Sequence, residues 1–175
     1  LKLIDAAFLD ARFHLTGKPG TGKTLLLYDI AKTLSKNGST VIIHCGKLVD
    51  GQRKIGREIE NLDIIPVEQL RKDYFDLSKY RFVLVDETHR IYEKQFDKIC
   101  VSVKENAQIC IFSSDPEQVL SSAEKRNDIV GKIKGLALQK EFILSEKIRT
   151  NREINSLILN MKNLNHKPKV GMNYS

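Results

Sequence analysis

The 175-residue sequence predicts an α/β fold: a mostly parallel sheet with helices on both faces. Three observations lead there. Strand-like apolar runs alternate with helix-like runs along the chain. Those runs are near-continuously apolar, as in strands covered on both faces. The polar motifs follow predicted strands, at the carboxyl ends where open parallel sheets hold ligands.

Residues 12–16 (Arg-Phe-His-Leu-Thr) read as the first strand. Gly17, Lys18, Pro19, Gly20, Thr21, Gly22, Lys23 and Thr24 follow and fit the phosphate-loop pattern G-x-x-x-x-G-K-[ST] at every fixed position. Gly17, Gly20 and Gly22 let the backbone turn tightly and bring N–H groups against phosphate oxygens. Lys23 supplies a point charge for β- and γ-phosphates, and the Thr24 hydroxyl can hold Mg²⁺. Next, Leu25, Leu26, Leu27, Ile30, Ala31 and Leu34 give an apolar face at helical spacing, ended by Asn37-Gly38. The helix start adds the positive end of its dipole to the loop.

Residues 40–45 predict a second strand, and 53–60 a polar helix or loop. Residues 67–71 read as a short helical turn. The clearest strand is 80–86, followed by 108–113 and a weaker one at 141–144. Helices are expected near 95–103, 116–124 and 152–161.

The strand at 80–86 ends in Asp86-Glu87, a Walker B arrangement. A buried strand delivers Asp86 to hold Mg²⁺ through water, and Glu87 is suited to orient and deprotonate an attacking water. Thr88-His89-Arg90 comes next. His89 either couples these carboxylates to the neighbouring strand or caps a helix; Arg90 reads as an ion-pair partner. Asp115 and Gln118, three apart after the next strand, put a carboxylate and an amide near a γ-phosphate. Arg149 follows the last strand and precedes a Thr/Asn-capped helix, where it can reach the same phosphate.

The net charge of +7 is uneven: residues 1–120 carry +1 and residues 121–175 carry +6. The basic final third reads either as a phosphate-backbone footprint or as a solvated lysine-rich surface. Aromatics are few, and no stacking platform for bases is visible. Cys45, Cys100 and Cys110 fit no metal spacing and read as reduced thiols in a cytoplasm. No run of 18 apolar residues indicates a membrane span. The length suits a single domain over 1–175. Starting at Leu1 and stopping in mid-pattern at Ser175, the chain is expected to be a fragment of a longer protein.

Taken together, the motifs resemble the first RecA-like domain of a superfamily 1 helicase. Residues 17–24 match motif I, Asp86-Glu87 motif II, Asp115-x-x-Gln118 motif III, and residues 144–154 motif IV with Arg149. Val85-Asp86-Glu87-Thr88-His89-Arg90 with Lys147-Ile148-Arg149-Thr150-Asn151-Arg152-Glu153-Ile154 is similar to the bacterial Schlafen-like DNA/RNA helicase-domain ATPases. Ser114 stands where helicase motif III usually has glycine. His44-Cys45-Gly46-Lys47 is the nearest candidate for the motif that touches nucleic acid. The resemblance implies a RecA-like P-loop NTPase that uses ATP and Mg²⁺. It implies catalytic roles for Lys23, Glu87, Gln118 and Arg149, and coupling to single-stranded DNA or RNA. It also implies a second RecA-like domain in cis, which this chain does not contain. The alternative is an ATP-gated protein-interaction module in a defence or regulatory assembly.

Overall fold

A computed structural model describes residues 11–72, 74–115, 128–136 and 140–144. Within them, six strands form one parallel sheet: β1 (Arg12–Gly17), β2 (Thr40–His44), β3 (Leu62–Pro66), β4 (Phe82–Asp86), β5 (Ile109–Ser114) and β6 (Lys140–Leu144), in the order β3-β2-β4-β5-β1-β6. Four helices accompany them: α1 (Lys23–Leu34), α2 (Asp50–Glu58), α3 (Glu93–Glu105) and α4 (Ile129–Gly135). Short 3-10 turns at Val67–Arg71 and Thr88–Arg90 follow β3 and β4.

The central strands are apolar throughout because each has two faces to bury. Ile42, Phe82, Leu84, Ile109 and Ile111 point to one side and pack with Leu27, Ile30, Ala31 and Leu34 of α1. Val41, Ile43, Val83, Val85, Cys110 and Phe112 point to the other, against Phe96, Ile99 and Val103 of α3 and Ile129 and Ile133 of α4. The Phe96 and Phe112 rings lie 5.5 Å apart. Helices therefore cover both faces, as expected for a buried parallel sheet.

Two features differ from the sequence expectation, and one open alternative is resolved. The strand β3 was not foreseen. Only Leu62 and Ile65 of its five residues are buried, since it lies at the sheet edge, and Asp63 between them breaks the apolar run. Pro66 is tolerated there because it closes an edge strand. In α1 the buried stripe is Leu27, Ile30, Ala31 and Leu34; Leu25 is 75% exposed and lies beside the phosphate loop rather than in the core. The polar segment near 53–60 is a helix, α2, which buries none of its residues. Its start is tied by the Gln52 side chain, which accepts from the Val49 backbone N–H at 2.9 Å. The helices expected near 116–124 and 152–161, with Gln118 and Arg149, lie outside the described residues.

Candidate nucleotide site

The site forms where β1, β4 and β5 end. The loop strand β1 and the carboxylate strand β4 are not neighbours, because β5 lies between them. Its last residues, Ser114 and the following Asp115, are thereby brought between the loop and Asp86-Glu87. A cavity of about 350 Å³ is lined there by loop residues, Lys23, Thr24, Asp86, Glu87, His89 and Asp115.

The loop's shape depends on glycine at two positions. Gly20 (φ 77°) and Gly22 (φ 86°) are left-handed, where a side chain is strained. Gly17 is constrained by space instead: a Cβ would sit 2.8 Å from the Leu144 carbonyl of β6. Lys23 Nζ donates to the carbonyls of Gly17 (2.6 Å) and Lys18 (2.7 Å), and lies 3.8 Å from Asp115 Oδ2. The lysine charge is thus held inside the loop, beside a buried carboxylate.

Asp86 is buried and its oxygens are crowded with donors. Thr24 Oγ1 donates to Oδ2 at 3.0 Å, His44 Nδ1 lies 3.1 Å from the same oxygen, and the Glu87 N–H donates to Oδ1 at 3.0 Å. A threonine hydroxyl and a carboxylate this close are a hard-oxygen donor pair of the kind Mg²⁺ takes, with water and phosphate completing its shell. Thr24 and Asp86 fit that ion. Burial first, then the Asp86 and Glu87 charges, push the Cys45 thiol well above its ordinary range and keep it protonated.

Glu87 has a left-handed backbone (φ 53°, ψ 41°), rare for a residue with a Cβ. Its carboxylate pairs with Arg90 at 3.2 Å, the ion pair expected of that arginine. It also rests on Gly46: a Cβ at position 46 would overlap Glu87 Oε2 and lie 3.2 Å from His44 Nε2. The end of β2 and the loop after it therefore touch both carboxylates, through His44 to Asp86 and through Gly46 to Glu87. Sequence reading missed these roles. The signal available was a lone glycine directly after a strand.

Of the two readings of His89, the structure favours coupling. Its Nδ1 accepts the Asp115 N–H at 3.3 Å and so joins the turn after β4 to the end of β5. Farther inside, buried His14 spans three strands. Its Nε2 lies 2.8 Å from Ser114 Oγ of β5, and its Nδ1 lies 3.1 Å from Glu141 Oε1 of β6. Burial lowers the His14 pKa, against the opposing pull of Glu141.

The family profile described as Schlafen group 3, DNA/RNA helicase domain matches residues 11–170. The chain belongs to that family. Two solved structures resemble this Schlafen-family domain. Flagellar accessory protein FlaH from Methanocaldococcus jannaschii aligns with a TM-score of 0.51 at 16% identity, covering 72% of this chain and 67% of that one. A KaiC-like protein from Pyrococcus horikoshii OT3 aligns with a TM-score of 0.54 at 17% identity, covering 81% and 74%. No curated protein matches the sequence significantly. At such identities the likeness concerns the fold, which is the RecA-like P-loop NTPase fold anticipated from the motifs. Family and fold together support a nucleotide-binding, ATPase-type function for the Schlafen-family domain. Among the described residues, no helix is long and apolar enough to cross a membrane.

Proposed function

We propose that this domain binds ATP with Mg²⁺ and hydrolyses it in a cycle coupled to movement along, or opening of, DNA or RNA. The observation that carries this reading is the convergence of Lys23, Thr24, Asp86, Glu87 and Asp115 on one cavity, with Thr24 Oγ1 3.0 Å from Asp86 Oδ2. Backbone N–H groups of the phosphate loop, Pro19 excepted, cradle the phosphates, and Lys23 neutralises the β- and γ-oxygens. Thr24 and Asp86 hold Mg²⁺, which supplies charge neutralisation to the phosphoryl group. Glu87 takes the proton of the attacking water. By resemblance, Gln118 and Arg149 sense and stabilise the γ-phosphate.

The chain is read as one RecA-like domain of a longer protein whose second RecA-like domain completes the site. An arginine finger is worth about 10³–10⁵ in rate. This domain alone is therefore expected to bind ATP and to hydrolyse it slowly.

A second reading, an ATP-gated protein-interaction module, draws support from a groove of about 820 Å³ between α1 and α2. It opens beside Thr24 and presents Leu25 and Ile55. One experiment separates the two: ATP turnover by the intact protein with and without single-stranded DNA or RNA, beside Glu87→Gln. Stimulation by a strand, lost in Glu87→Gln, supports the motor. Turnover indifferent to both polymers rejects strand coupling and favours the gated module.

A further inference from the structure

We propose that Tyr74 and Tyr92, with Arg71 and Lys72, form a stacking surface for single-stranded nucleic acid beside the nucleotide site. The inference deepens the motor reading and rests on it. The sequence shows no such platform, because the two rings are far apart in the chain. The fold brings a cation to each. The Arg71 guanidinium lies 5.5 Å from the centroid of the Tyr92 ring, and Lys72 Nζ lies 5.4 Å from that of Tyr74. Since Arg71 and Lys72 are consecutive, the two ring–cation pairs are linked through one short stretch of backbone.

Both rings are open to solvent: Tyr74 is 78% exposed and Tyr92 58%. An exposed aromatic face with a neighbouring cation is the pairing that single strands use. Any base can stack on the ring, and the cation meets the phosphate or the π-system.

The platform is also anchored. Gln95 Nε2 and Lys98 Nζ of α3 donate to the carbonyls of Val67 (3.1 Å) and Leu70 (2.8 Å). These bonds fix the 3-10 turn that carries Arg71 against the helix whose first residue follows Tyr92. The turn that carries Arg71 is therefore held in place before a strand arrives.

Its place in the fold links it to the chemistry. The turn at Val67–Arg71 leaves the carboxyl end of β3, and Tyr92 follows the turn at Thr88–Arg90 after β4. Arg90, two residues before Tyr92, holds the Glu87 carboxylate at 3.2 Å. A strand stacked on Tyr92 thus bears on the segment that positions Glu87.

The test is fluorescence anisotropy of labelled oligo-dT and oligo-rU with the purified protein at low salt, with ATP affinity measured on the same samples. Tyr74→Ala and Tyr92→Ala are each expected to weaken strand binding roughly 5- to 150-fold, the range for loss of one stacked base. Tyr74→Phe and Tyr92→Phe should retain it, and ATP affinity should not change. Comparing oligo-dT with oligo-rU identifies the preferred polymer. If the wild type binds a strand and both alanine variants match it, the surface is wrong while the motor reading survives. If the wild type binds neither polymer, the surface and strand coupling fall together, and the ATP titration reports separately on the nucleotide site.

Discussion

Gly46→Ala tests how Glu87, the proposed base, is seated. The added methyl would overlap Glu87 Oε2 and stand 3.2 Å from His44 Nε2. Restoring an ordinary contact requires the carboxylate to withdraw by about 1 Å, since carbon and oxygen rest at roughly 3.5 Å. Displacements of that size in a reacting group cost on the order of 10²-fold in rate. The ceiling is loss of the base altogether, about 10²–10⁴-fold. The atoms nearest to that methyl belong to Glu87 and His44 and none to the phosphate loop, so ATP affinity should stay near the wild-type value. The assay is phosphate release by the intact protein at saturating ATP, with equilibrium ATP binding in parallel. Wild-type turnover in Gly46→Ala, where Glu87→Gln is inactive, would refute the claim that this seat is the working position of Glu87.

Other outcomes follow from the same structure. Asp86→Asn should bind ATP in Mg²⁺ no better than in EDTA, measured by calorimetry, because it removes the anionic half of the Thr24–Asp86 pair. Phe112→Ala should destabilise the fold by about 3–5 kcal/mol in chemical denaturation, since this ring is fully buried against Phe96. His14 carries a pH signature. Its pKa is lowered in the folded state, so below its ordinary value of 6.5 the unfolded chain binds the proton more readily. Wild-type stability should therefore fall as pH drops through 6.5 and below, and the decline should be shallower in His14→Gln.

The parts legible in sequence are those whose chemistry is local. The phosphate loop and Asp86-Glu87 are contiguous motifs, and the central strands β2, β4 and β5 announce themselves by burying both faces. The edge strand β3 did not, because one exposed Asp63 interrupts its apolar run. Neither could the strand order, which inserts β5 between the loop and the carboxylates. That insertion is what brings Asp115 to Lys23 and His89. The seat that Gly46 gives Glu87 is not legible for a related reason. The glycine's importance lies in the space it leaves for a side chain 41 positions away, and sequence records no such distance. Leu25 shows the opposite error: it fits helical spacing, yet the stripe that meets the sheet starts at Leu27.

The most direct test of the central claim is an equilibrium titration of ATP, with and without Mg²⁺, into wild-type protein and Lys23→Ala. The loop geometry predicts Mg²⁺-dependent binding by the wild type. Lys23→Ala should bind roughly 10- to 100-fold more weakly, the worth of a charged hydrogen-bond donor. Equal affinity in the two proteins, or no binding in either, would contradict the assignment of this cavity as a nucleotide site.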